Sequence, residues 1–159
     1  MRDSKRIRGV RALLLLGIQW GLGALSVLAF APFEWGALWL IPLLTLSLLL
    51  WIGRSPRMSG LSGFFYAFGL FSFGLNWIHI SLFQYGDTPF LLAQWAVIAL
   101  ALFLSLYWGG VAYLLGRLHQ RNRGMESIAL LYGVLFPLAA LLMEALRSRL
   151  FTGFPWLAA

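Results

Sequence analysis

Two groups of polar side chains interrupt otherwise apolar blocks at spacings that could do chemistry. Asn76-Trp77-Ile78-His79 sets an amide and an imidazole three residues apart, on one face of a helix, with Trp77 and Tyr85 where an aromatic interface belt belongs. Glu144-Ala145-Leu146-Arg147 has the i,i+3 spacing of an ion pair, which lowers the cost of a carboxylate near a membrane boundary. A charge at a helix centre in lipid costs on the order of 2.5 to 3.5 kcal/mol, so such groups ask for a reason. The chemistry on offer is recognition: a polar notch for a lipid head group around Asn76, Trp77 and His79, and a cation at Arg147 or Arg149 for a phosphate or for an acidic protein surface. The plainer readings are interhelical hydrogen bonding by His79 and an ion pair with snorkelling arginines at Glu144 and Arg147.

Neither group completes a Ser–His–Asp triad or a metal-ligand set, and the chain has no cysteine. Catalytic residues, metal ligands and cofactors are therefore not expected within these 159 residues. Glycine-rich stretches such as Gly60-Leu61-Ser62-Gly63 and Gly69 to Gly74 lack a Walker-type lysine and read as close-packing surfaces between helices. Thr152-Gly153-Phe154-Pro155-Trp156-Leu157 reads as an interfacial turn, because glycine and proline interrupt helix formation among large aromatics.

The elements that must position these groups are membrane helices. Hydrophobic residues make up 61% of the chain and charged residues 11%, with a mean hydropathy of +0.84, outside the balance of a soluble domain. The apolar residues fall into about five blocks, 12–30, 36–52, 61–83, 90–115 and 127–146, which predicts a single all-α, polytopic transmembrane bundle over 1–159. Ala29-Phe30-Ala31 resembles a signal-peptidase site, but Pro32 directly after it and the next apolar block favour an uncleaved first helix.

The net charge of +7 does not point to nucleic acid, because the basic residues sit between apolar blocks rather than along a stripe. With a cytoplasmic N-terminus, Arg2, Lys5, Arg6, Arg8, Arg11, Arg54, Arg57, Arg117, Arg121 and Arg123 all lie inside, leaving Arg147 and Arg149 outside. Five crossings then put the C-terminal end on the outer, periplasmic face, and any continuation past residue 159 would start there.

Together these pieces resemble the apolipoprotein N-acyltransferase family of bacterial inner membranes. The matching residues are Leu28-Ala29-Phe30-Ala31-Pro32-Phe33, the stretch Gly69 to Ser81 around Gly74-Leu75-Asn76-Trp77-Ile78, and Glu144-Ala145-Leu146-Arg147 leading to Leu150-Phe151-Thr152-Gly153-Phe154-Pro155-Trp156-Leu157. The resemblance implies an acyltransferase of lipoprotein biosynthesis, which moves an acyl chain from a phospholipid donor to the α-amino group of a diacylglyceryl-cysteine lipoprotein acceptor through a cysteine thioester. In that family the cysteine, a glutamate base and a lysine lie in a nitrilase-like domain, so this chain corresponds to the N-terminal membrane part and is expected to be inactive alone. Its implied task is to anchor the enzyme in the inner membrane and shape the lipid path, through Asn76, Trp77, His79, Glu144, Arg147 and Trp156. Ser148 and Arg149 stand where relatives commonly carry an aromatic residue and a glycine. The competing reading is a small multispanning transporter subunit or membrane assembly factor, which would place polar residues near the bilayer midplane.

Overall fold

The computed structural model describes residues 2–29 and 55–121, together with Leu138 and Leu142, and side chains of the first helix from Gly9 onward. Apart from Leu138 and Leu142, the blocks expected at 36–52 and 127–146 lie outside the described residues. Within them the fold is entirely helical: α1 (Arg2–Ser26) with a 3-10 turn at Val27–Ala29, α2 (Pro56–Gly74), α3 (Trp77–Tyr85) and α4 (Phe90–Arg121).

Local sequence explains the ends. Ser55 is extended (φ −134, ψ 141) and its hydroxyl accepts from the Met58 amide at 3.3 Å, while Pro56 takes the first helical position, where no donor is needed. At the other end of α3, the Gly86 and Thr88 amides both donate to the Leu82 carbonyl, at 3.1 and 3.2 Å. Asp87 then takes a left-handed conformation, φ 47, which a short polar side chain tolerates. The Pro89 carbonyl accepts from Ala93 and opens α4.

Helix α2 is central, packing on both α1 and α4, with α3 against α4. Close approach rather than large apolar contact sets these distances. A methyl group at Gly69 would overlap the Trp20 carbonyl, one at Gly23 the Tyr66 carbonyl, and one at Gly63 the side chain of Ala112. The glycine-rich stretches are packing surfaces, as their composition suggested. Between α2 and α4 a core of Ala67, Phe71, Leu75, Val97, Ala101 and Leu104 is completed by Phe68, Ile78, Leu100 and Trp108.

The exterior is apolar instead. Leu13, Leu14, Leu91, Leu92, Trp95 and Leu106 are exposed, whereas Gln19, Ser26, Ser59, Ser62 and Ser105 are buried. That inversion is what lipid as a solvent requires. Gly9–Ala29 and Phe90–Arg121 are each long and apolar enough to cross a membrane, and α2 and α3, bent by 41°, add a third span if they count as one. The chain is a membrane protein of two to three such spans among the described residues.

One expectation is corrected. An alternating five-crossing topology runs the first and third blocks in the same direction. Residues 20, 23 and 26 of α1 instead meet 73, 66 to 70, and 66 of α2, so these helices are antiparallel. Arg11 thus points toward the Gly74 end of α2, away from Arg57. Charge counting cannot put both inside, because it reads positions along the chain and not the sense in which helices pack. The α2–α4 pair is also antiparallel, with Gly60 against Gly109 and Tyr113, and it keeps Arg57, Arg117 and Arg121 at one end and Asp87 at the other.

Candidate functional site

The block expected as one helix over 61–83 is broken at Leu75–Asn76, and the candidate residues Asn76, Trp77 and His79 sit at that break. The backbone tightens there: the Asn76 amide donates to Phe73 at 3.3 Å and the Ile78 amide to Leu75 at 3.0 Å, both i to i−3. Leu75 is fully buried and Ile78 packs on the same core, so these two apolar side chains fix the break against α4. Asn76 and Trp77, between them, are turned outward, Trp77 with 47% of its surface exposed.

Asn76 and His79 do meet, but through the backbone. Asn76 precedes α3 at the cap position without a side-chain cap hydrogen bond, and its carbonyl accepts from His79 Nδ1. A carbonyl oxygen only accepts, so Nδ1 is the donor in this contact. The imidazole is also held edge-on against Phe90, ring centres 5.8 Å apart, and Phe83 contacts the same ring at 5.9 Å. One turn on, Ser81 Oγ donates to the Trp77 carbonyl at 3.5 Å. The result is a polar notch in a helix-breaking turn, rimmed by exposed Trp77, Phe83 and Tyr85. Such a rim suits the membrane–water interface, where aromatic rings and polar tips are both accommodated.

The arrangement can orient and hydrogen-bond a ligand. Among the described residues no group of three or more His, Cys, Asp or Glu could hold a metal ion. Glu144, Arg147 and Trp156 lie outside the described residues.

Sequence reasoning missed a second polar feature, in the seam between α1 and α2. Ser26 Oγ donates to the Leu22 carbonyl at 2.9 Å and lies 2.6 Å from Tyr66 Oη. Two turns earlier on the same side of α1, Gln19 is 1% exposed and its Oε1 has no hydrogen-bond partner among the described residues. The signal was a polar residue in mid-span, an amide that costs free energy in lipid as surely as a charge at a helix end does.

Comparison with known proteins converges on one family. Residues 22–159 match the model of the apolipoprotein N-acyltransferase N-terminal domain. Three proteins named apolipoprotein N-acyltransferase are similar to the chain. The one from Photobacterium profundum is 34% identical over 137 residues, covering 85% of this chain and 25% of the relative. The one from Pasteurella multocida is 36% identical over 137 residues, 85% and 24%. The one from Ralstonia nicotianae is 38% identical over 138 residues, 86% and 25%. The chain spans about a quarter of the length of these relatives.

Proposed function

Because the chain belongs to the apolipoprotein N-acyltransferase N-terminal domain family, we propose that it is the membrane-embedded N-terminal part of an enzyme that moves an acyl chain from a phospholipid to the N-terminal diacylglyceryl-cysteine of lipoproteins. It is a multi-pass component of the bacterial inner membrane. In this reading transfer runs through a cysteine thioester, and these 159 residues, which contain no cysteine, do not supply that nucleophile. Their task is to anchor the enzyme and shape the route by which lipidated substrates enter from the bilayer.

The observation that carries this reading is the break between α2 and α3. A helix that turns by 41° and sets Asn76 and Trp77 outward beside a half-buried His79 presents hydrogen-bonding groups where an uninterrupted apolar span would present none. In this reading the α2–α4 pair is oriented with Arg57, Arg117 and Arg121 toward the cytoplasm, and the Asn76–Asp87 end, where the basic start of α1 also lies, faces outward. Glu144, Arg147 and Trp156 belong to the same outer region in this reading and support the path or the domain above it.

The test is acyl transfer by a full-length enzyme containing this domain. Asn76→Ala with His79→Ala, and separately Arg147→Ala, lower the transfer rate about ten-fold or more while membrane insertion stays intact, a loss of about 1.4 kcal/mol in transition-state stabilisation. Unchanged transfer in both variants would remove the proposed role from these residues.

A further inference from the structure

Opposite the notch, the α2–α4 pair ends in a basic surface that the lipid-path reading does not use. A Cβ at Gly116 would lie 3.0 Å from Pro56 Cα and 2.8 Å from Ser59 Oγ, so the first turn of α2 and the last turns of α4 are in direct apposition. Arg57 adjoins one side of that contact and Arg117 the other, with Arg121 one turn further along α4. All three are exposed. Among the described residues this end carries no Asp or Glu, and no ion pair is formed by these arginines. Helix α4 has 32 residues and is about 48 Å long, against a hydrocarbon layer of about 30 Å. Its basic last turns therefore project beyond the hydrocarbon into the head-group layer.

We propose that Arg57, Arg117 and Arg121 form a binding surface for the phosphodiester head group of an anionic phospholipid. The charge complementarity is direct. Guanidinium groups present planar pairs of N–H donors to phosphate oxygens, and a carboxylate that would compete for them is absent among the described residues at this end. A membrane lipid rather than free phosphate is the partner, because the surface sits at head-group depth, where the lipid's acyl chains can lie along the exposed Leu114 and Leu118 of α4. The proposal stands apart from the acyl-transfer reading, since it concerns the other end of the bundle and needs no catalysis.

The experiment uses the whole chain in nanodiscs of phosphatidylcholine containing about one-third phosphatidylglycerol, with a spin-labelled lipid of either head group as reporter. The immobilised fraction of the labelled lipid gives the selectivity for phosphatidylglycerol over phosphatidylcholine. The wild-type chain prefers phosphatidylglycerol, and each of Arg57→Gln, Arg117→Gln and Arg121→Gln lowers that preference, by up to about five-fold. Single variants keep the test sound if a triple Arg→Gln variant fails to insert, and helical circular dichroism confirms folding for each. Equal immobilisation of both lipids by the wild type, or an unchanged preference in all three Gln variants, would overturn the proposal. So would loss of the preference on adding millimolar inorganic phosphate at constant ionic strength, which would identify the ligand as a free anion.

Discussion

Tyr66 donates its phenolic hydrogen to Ser26 across 2.6 Å of the α1–α2 seam. The direction follows from counting hydrogens, because the single Ser26 hydroxyl hydrogen is committed to the Leu22 carbonyl at 2.9 Å. A chain of carbonyl, serine and tyrosine thus ties α1 to α2. Tyr66→Phe should destabilise the fold by about 0.5 to 1.5 kcal/mol, as should Ser26→Ala. A double-mutant cycle by reversible denaturation in mixed micelles should give a coupling of about 0.6 kcal/mol. Additive single effects would mean that the 2.6 Å contact contributes nothing.

The same seam sets the sense of α1. Wild-type sequence contains no cysteine, so paired cysteines report without background. Ser26→Cys with Tyr66→Cys and, separately, Trp20→Cys with Phe73→Cys should both be bridged by a short bifunctional thiol reagent in membranes. A parallel arrangement would bridge at most one of these pairs.

Gln19 makes a sharper demand. Its Oε1 is buried without a partner among the described residues, and an unsatisfied buried acceptor costs about 1 to 3 kcal/mol. Gln19→Leu should therefore leave stability unchanged or raise it, read as the detergent midpoint of unfolding. A loss of more than about 1 kcal/mol would show that the amide is hydrogen-bonded in the membrane.

Close approach gives a steric prediction. Gly69→Leu places a side chain against the Trp20 carbonyl and the Ala24 amide, both backbone atoms that cannot rotate away. The α1–α2 thiol bridge between positions 26 and 66 should be lost. Gly110→Leu, at a glycine with open space around it, should leave that bridge intact.

How far the sequence reveals this fold depends on whether the signal is local. The apolar run from Phe90 is a single helix in the structure, whereas α2 starts at Pro56, five residues before the apolar block expected from Leu61, because Ser55 and Pro56 cap it. The break at Leu75–Asn76 is not written in a proline. It arises because Leu75 and Ile78 both insert into the α4 core, a tertiary effect that leaves Asn76 and Trp77 outside. The pairing of Asn76 with His79 was legible as a three-residue spacing, yet it is made by a carbonyl rather than by the amide side chain. Gln19 and Tyr66 escaped notice because their burial depends on which faces of α1 and α2 meet. Charge counting sorts the ends of α2 and α4, but it also puts the basic start of α1 on the side of Arg57, and the antiparallel packing of α1 on α2 separates the two.

The most direct test of the account is the side on which the Asn76 notch lies, because a path for lipids destined for outer-face acyl transfer must open there. Asn76→Cys and Arg57→Cys, each otherwise cysteine-free, are exposed to a membrane-impermeant maleimide in intact spheroplasts and again after lysis. The account predicts labelling at position 76 before lysis and at position 57 only after it. Labelling at 57 in intact spheroplasts with protection at 76 would contradict it.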